Sequence, residues 1–366
     1  MFRDAVLQRA PNKPKLMVTL DLESSETDRE RDIICFYKQA NIDWSRPFEA
    51  RLRGDVALGD GVTRHFFSLV LEKLSCGLHL PLDNCGGRTL IFVGEEDHRV
   101  PSTSGTLVDG DLFRVVGRII GHSFLNRGPL LCGLSNCLLP LICGDKLATP
   151  VFEMKDCPDT DITDIVFLLE SERDLTEVEK GEVNQLAMSW DLPMVTIQNR
   201  RWLAERVLYH GVIGRRLQQI AQIRAGLKDT GVLQMLKQRP DLATVLFPRG
   251  AEEVLEPEFV LQRVLWPEPD SDEEDNIEVL CKATSFLRAY IESASSSELR
   301  QLVQFWTGWT VVPEQMTVEV EADLTFPVAS TCFTTLKIPG RYETFPEFSN
   351  SLKAAVATTQ FGFGRV

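Results

Sequence analysis

The feature that most constrains this chain is a nine-residue break, Pro267 to Asp275 (PEPDSDEED), with two prolines, six carboxylates and no apolar side chain. Such a segment cannot bury enough surface to order itself against a core, and its prolines discourage a helix across it. The sequence therefore predicts two compact units joined by a mobile linker. The competing reading is a solvated loop inside one domain. Length favours division, because single cores seldom grow past roughly 250 to 300 residues and the chain has 366. The expected units are residues 1–266 and 277–366, with residues 267–276 as a hinge.

Composition narrows the function classes. An apolar share of 43% with 25% charged residues is ordinary for a globular protein and allows a sizeable core. The net charge of -14 lacks the field that neutralises phosphates, so neither nucleic acid nor anionic membrane is an expected partner. A basic protein partner would suit it, although the same charge also simply keeps a protein soluble. Met1 to Lys15 has no continuous apolar core of the kind an export signal needs. The most apolar stretch, Pro129 to Gly144, is too short to span a bilayer and is interrupted by Ser135, Asn136 and Pro140. It reads as a buried segment. Nine scattered cysteines without a CxxC pair fit a reducing compartment, cytoplasm or nucleus, better than a disulfide scaffold or a zinc site. Cys132, Cys137 and Cys143 read as core residues.

Helical spacing of apolar residues predicts helices over residues 29–40, 62–74, 105–128, 162–169, 178–190, 202–236 and 276–305, with a last one over 347–358. Strands are expected at 48–52 and 316–320. Gly117 and Gly121, four apart on a helical pattern, allow another element to approach closely. No GxGxxG or GxxxxGK[ST] loop follows the Gly59-Asp60-Gly61 turn, so a nucleotide site has nothing to rest on there. Residues 159–201 read as a subdomain, in which Val183, Leu186 and Trp190 lie at i, i+3 and i+7 and form one apolar face. That face suits a partner surface or packing on the rest of the unit. The chain is thus expected to be α+β, a large mainly helical unit followed by a small α/β one.

In the small unit, Leu324 to Pro339 (LTFPVASTCFTTLKIP) places Cys332 between two β-type runs, flanked by Thr331 and Phe333. A nucleophilic cysteine belongs on an exposed, rigid turn where donors stabilise its thiolate, although a lone cysteine is also a common small core residue.

Several motifs, in order, resemble those of HECT-type ubiquitin ligases. Ser330 to Phe333 (STCF), with Leu336, Ile338-Pro339 and Tyr342, is similar to the catalytic-cysteine signature of that family. Leu302 to Gly308 (LVQFWTG) with Val312-Pro313 resembles the opening of its C-lobe, and Phe363, fourth from the end, stands where the family keeps a phenylalanine used in transfer. Upstream, Gly59 to Phe67 (GDGVTRHFF), Phe113 to Gly121 (FRVVGRIIG) and Gln222 to Gly226 (QIRAG) resemble N-lobe elements. The shorter domains of the G2/M-phase-specific ubiquitin ligase group are the nearest in pattern.

The resemblance implies a bilobal HECT-like fold with a flexible hinge, and a conjugating-enzyme-binding subdomain at about residues 159–201. It implies Cys332 as nucleophile and site of a glycyl thioester, with Thr331, Phe333 and Phe363 as positioning residues. The implied partners are a ubiquitin-conjugating enzyme, ubiquitin and a protein substrate, with Val183, Leu186 and Trp190 as candidate contacts. No cofactor or metal is implied. Two positions depart from the family: Ser330, often His, and Lys337, often Asp. They raise the alternative of a weak or inactive HECT-like module that binds ubiquitin or acts as a scaffold. The five histidines all lie outside the small unit, and His65 and His122, on helical patterns, read as structural.

Overall fold

The computed structural model describes residues 2, 6 and 13–358 apart from 22, 54–59, 80–87, 145–149, 250–254, 268–273, 309–311 and 314. At Asp60, Gly61, Arg64, Glu274–Asn276, Cys332 and Thr358 it describes the backbone alone.

The fold is α+β, with helices carrying most of the chain and three small sheets. Strands β1 (Leu16–Asp21) and β2 (Phe48–Arg53) pair in parallel around helix α1 (Glu26–Lys38). Ser25 caps α1 by accepting the Asp28 N–H at 3.2 Å. Helix α2 (Asp60–Cys76) follows, then a two-stranded ribbon of β3 (Phe92–Val93) and β4 (Val100–Pro101). The apolar run expected over 105–128 is not one helix. Gly110 ends a short turn of helix, Asp111 takes a left-handed φ of 54°, and α3 (Leu112–Leu125) starts afresh. The long run expected over 202–236 likewise divides into α6 (Arg200–Val212), α7 (Leu217–Asp229) and α8 (Val232–Gln238), with Gly231 at φ 81° before the last. Between these groups lie α4 (Thr160–Glu170) and α5 (Glu177–Ser189).

Crossing of α3 and α7 organises the amino-terminal core. A Cβ on Gly117 would fall 2.1 Å from Ile223 O, and one on Gly226 would fall 2.2 Å from Arg114 O. Backbone meets backbone here, so Gly117 meets the partner its spacing anticipates. Asp229 at the end of α7 accepts from Arg114 at 2.9 Å and Arg118 at 2.7 Å, while Arg118 also donates to Tyr37 O at 2.6 Å. These bonds tie α1, α3 and α7 together. Cys137 and Cys143 are buried and Cys132 is half-buried.

His122 sits inside this core, wholly buried among Phe36, Tyr37, Trp44, Phe48 and Phe67, with its Nδ1 3.0 Å from the Tyr37 hydroxyl. Burial disfavours the imidazolium and lowers its pKa from 6.5 to about 3. Below about pH 6.5 the unfolded chain binds a proton that the folded chain refuses. Stability is therefore full above that pH and falls as the pH drops towards 3. His122→Phe should shrink the stability lost between pH 7 and pH 4 by something on the order of 2 kcal/mol, read by urea unfolding. An unchanged pH dependence would refute the buried neutral imidazole.

Hydrophobic side chains form two separate clusters, one from Val6 to Phe247 and one from Val260 to Val356. The second lies on a four-stranded sheet of order β5 (Val264–Leu265), β6 (Met316–Glu321), β8 (Thr335–Pro339), β7 (Val328–Ser330). Helices α9 (Glu274–Ser293), α10 (Ser296–Thr307) and α11 (Phe345–Thr358) pack on it. The single helix expected over 276–305 breaks at Ala294, because Ser295 forms a reciprocal capping box with Glu298 and begins α10. Helix α9 starts at Glu274, so the last residues of the expected hinge are helical. Residues 268–273 of that segment lie outside the described residues.

Candidate active-site turn

Cys332 lies in a hairpin loop. Strands β7 and β8 run antiparallel with Val328 opposite Lys337 and Ser330 opposite Thr335, and Thr331–Phe333 between them form one turn of 3-10 helix. The next residue, Thr334, has φ 51°, a left-handed conformation that lets the chain reverse directly into β8. Its N–H reaches Thr331 O at 3.3 Å, and its hydroxyl donates to Gln315 O at 3.2 Å. A buried tryptophan fixes the turn from beneath: Trp306 Nε1 donates to Thr334 O at 2.9 Å and to Thr317 O at 3.2 Å. Gly308 ends α10 at φ 75°, and a Cβ placed on it would lie 3.5 Å from the Thr331 Cβ. The backbone of Cys332 is therefore held by β6, β8 and α10.

Thr331 is half-buried, whereas Phe333 is 76% exposed. With Phe326 and Val328, also exposed, it leaves apolar surface beside the turn. Lys337 bonds Glu321 at 2.6 Å and lies 3.5 Å from Glu319, across the β6–β8 ladder. Its hydrogen bond to Glu321, followed by that carboxylate's charge, raises the ammonium pKa, so Lys337 is a fixed cation and no proton acceptor.

Residues 261–365 match the family model of the HECT domain, a ubiquitin-transferase. The HECT match spans the whole four-stranded sheet, the 3-10 turn and helices α9 to α11. It leaves the amino-terminal core uncovered. No curated protein matches the sequence. Phe363 lies outside the described residues.

The apolar face of α5 takes the second of its two expected places, packed on the rest of its own unit. Val183 is wholly buried, and Leu186 and Trp190 are half-buried against the amino-terminal core, with the Trp190 ring 4.3 Å from that of His210. A stripe at i, i+3 and i+7 on an otherwise polar helix is what the chain's own core covers first. The exposed apolar side chains of the same region are different ones: Phe167, Val178, Met188, Met194, Ile197 and Trp202. Periodicity could not find them, because several stand on the 190–199 loop or on helix ends.

Pattern also missed that α2, from the amino-terminal core, packs against the 331–333 turn. A cleft of about 910 Å³ opens between the two cores, lined by α2 on one side and by Gln304, Gly308 and Lys353 on the other. At its α1 end the carboxylates of Glu26 and Glu30 meet the His79 ring, a triad of metal-ligand type. Lys73 pairs with both carboxylates, Arg88 lies 3.4 Å from Glu26, and the His79 N–H donates to Glu30. The protein's own cations thus occupy the place of an ion. Among the described residues no helix is long and apolar enough to cross a membrane.

Proposed function

We propose that the chain is a ubiquitin-protein transferase that accepts ubiquitin as a thioester on Cys332 and passes it to a lysine. One observation carries this reading: the HECT match coincides with a strand–turn–strand unit that holds Cys332 at the tip of a braced 3-10 turn. In the first step the Cys332 thiolate attacks the thioester carbonyl of a charged conjugating enzyme, a C–S bond forms, and the enzyme's own thiolate leaves. In the second, a lysine amine attacks, a C–N bond forms, and the Cys332 sulfur leaves. Thioester exchange is nearly neutral in energy, so proximity and a deprotonated sulfur suffice and no cofactor is called for. Thr331 and the backbone around Phe333 are the positioning groups, with the exposed Phe326, Val328 and Phe333 a surface for ubiquitin. Phe363 assists transfer to the lysine in the same reading.

The two hydrophobic cores act as two lobes, with β5 (Val264–Leu265) in the sheet of the second, so residues 260–266 go with the carboxy-terminal lobe rather than with the expected 1–266 unit. On its ordered motifs taken together the chain groups with the shorter, G2/M-phase-specific-like HECT domains, and it works in the cytoplasm or nucleus. The conjugating enzyme docks on the 159–201 subdomain, through the exposed Phe167, Met194 and Ile197 rather than the buried α5 face. Ile197→Asp should lower adduct formation roughly tenfold while the protein stays soluble, because its side chain is 88% exposed. Undiminished loading by Ile197→Asp would remove this surface from the proposal.

The test is direct. The protein is incubated with a panel of charged conjugating enzymes, and a ubiquitin adduct that thiol reagents reverse is the expected result. A folded protein that forms no adduct with any of them would overturn the transferase in favour of a HECT-like module that binds without transferring.

A further inference from the structure

We infer that Asn199 and Arg200, adjacent residues where the 190–199 loop enters α6, are positioning residues for docking of the conjugating enzyme. They hold Phe167, Met194 and Ile197 in one fixed arrangement before the partner arrives. The inference rests on the docking surface proposed above and assigns the groups that set its shape.

The loop starts where α5 stops. Asp191 takes a left-handed φ of 55°, and the Leu192 N–H donates back to Ala187 O at 2.8 Å, which turns the chain off the helix. From there side chains point alternately inward and outward. Leu192 and Val195 pack on the amino-terminal core, while Met194 and Ile197 are exposed. The inward pair anchors the loop, and a separate set of polar bonds shapes its tip. Asn184 on α5 accepts the Val195 N–H at 2.8 Å. The Asn199 side chain accepts the Thr196 N–H at 2.7 Å through Oδ1 and donates to Met194 O at 2.8 Å through Nδ2. Its own backbone N–H donates to the Thr196 hydroxyl at 3.2 Å. Thr196 and Asn199 are thus joined twice, with Ile197 at the apex of the turn between them.

Arg200 fixes the third apolar side chain. Its Nε donates to Leu169 O at 2.7 Å, and its terminal nitrogens donate to Arg173 O at 2.7 Å, to the Ser171 hydroxyl at 2.7 Å and to Leu168 O. The last carbonyls of a helix have no partners within it, and a planar guanidinium presents its N–H groups in a fork that serves several at once. Phe167 stands on the last turn of α4, so this clamp sets its place relative to the loop. Because Asn199 and Arg200 are neighbours in the chain, one stretch of backbone governs all three exposed side chains.

Holding exposed apolar side chains still adds nothing to the core. Its effect is on association, since a loop ordered before the encounter loses little freedom on binding and more of the contact free energy appears as affinity. In the transferase reading the acyl donor is itself a protein, and it is the partner that such a surface serves.

The experiment separates docking from chemistry. Single-turnover loading of the whole chain is measured against rising concentrations of charged conjugating enzyme, and discharge of the formed thioester to free lysine is then followed. For Asn199→Ala the half-saturating concentration should rise roughly tenfold, with the saturated loading rate and the discharge rate unchanged. Thr196→Val removes the hydroxyl acceptor from an exposed residue at nearly constant shape and should act in the same direction, whereas Thr196→Ser should behave as the wild type. Arg200→Lys keeps the charge without the fork and should also raise the half-saturating concentration. Wild-type half-saturation in both Asn199→Ala and Thr196→Val, with Ile197→Asp loading poorly, would leave the docking surface standing and overturn the positioning role. Slowed saturated loading and slowed discharge at an unchanged half-saturating concentration would overturn it too, because the residues would then serve the fold and not the docking. Should Ile197→Asp load as the wild type does, or the wild-type chain form no adduct, the proposed reading fails and this inference with it.

Discussion

Gly226→Val should leave the amino-terminal core unable to fold, with helical content falling and no cooperative urea transition from that core. A Cβ at Gly226 would lie 2.2 Å from Arg114 O, 2.6 Å from Arg118 N and 2.8 Å from Gly117 C. All three obstacles are backbone atoms of α3, so no side-chain rotation relieves them. Overpacking against movable side chains costs about 1 to 3 kcal/mol. Here the two helices must separate, which also breaks the Asp229 pairs with Arg114 and Arg118. Because whole domains are stable by only about 5 to 15 kcal/mol, the expected loss takes most of the reserve. Gly181 on α5 makes the opposite prediction. It is exposed, with nothing within 4 Å of its would-be Cβ, so Gly181→Ala should raise stability by about 0.5 to 1 kcal/mol through helix propensity alone. A Gly226→Ala midpoint equal to that of the wild type would mean that α3 and α7 do not cross at these glycines.

The contrast between these glycines shows which parts of the molecule sequence reasoning reaches. Gly117 and Gly121 stand four apart, and that spacing announces a close approach. Nothing local says that Gly226 is the other half of it, because the contact joins residues more than a hundred positions apart. Helix α2, strand β6 and helix α11 were legible because their apolar residues keep one period over their full length. The runs at 105–128, 202–236 and 276–305 kept their period across breaks set by other physics: the left-handed Asp111, the left-handed Gly231 and the Ser295–Glu298 box. At the candidate site, Cys332 emerged from a motif, while the Trp306 hydrogen bonds and the wall formed by α2 are tertiary facts with no local signature. The α5 stripe was visible as a stripe; whether a partner or the core covers it depends on what lies opposite.

Cys332→Ala should reduce the thiol-sensitive ubiquitin adduct to background. On the proposed reading no other group can replace the sulfur, since Ser330 and Thr331 offer hydroxyls that are poor nucleophiles without an adjacent base. The fold should be unaffected, because the turn's conformation comes from Thr334 at φ 51°, from Trp306 beneath it and from the β7–β8 pairing, none of which uses the cysteine side chain. The thermal midpoint should therefore move by no more than a few degrees, within the scatter of ordinary surface substitutions. Cys332→Ser gives a sharper reading, because any adduct it forms is an oxyester that thiol reagents leave intact and hydroxide cleaves. Cys281→Ser and Cys132→Ser serve as comparisons, the first exposed on α9 and the second half-buried in the cleft wall, and both should load as the wild type does. An adduct that survives in Cys332→Ala and vanishes in one of those two would move the nucleophile elsewhere. The HECT match would then stand without its transfer step, and the exposed Phe333 would be a binding residue rather than a neighbour of the chemistry.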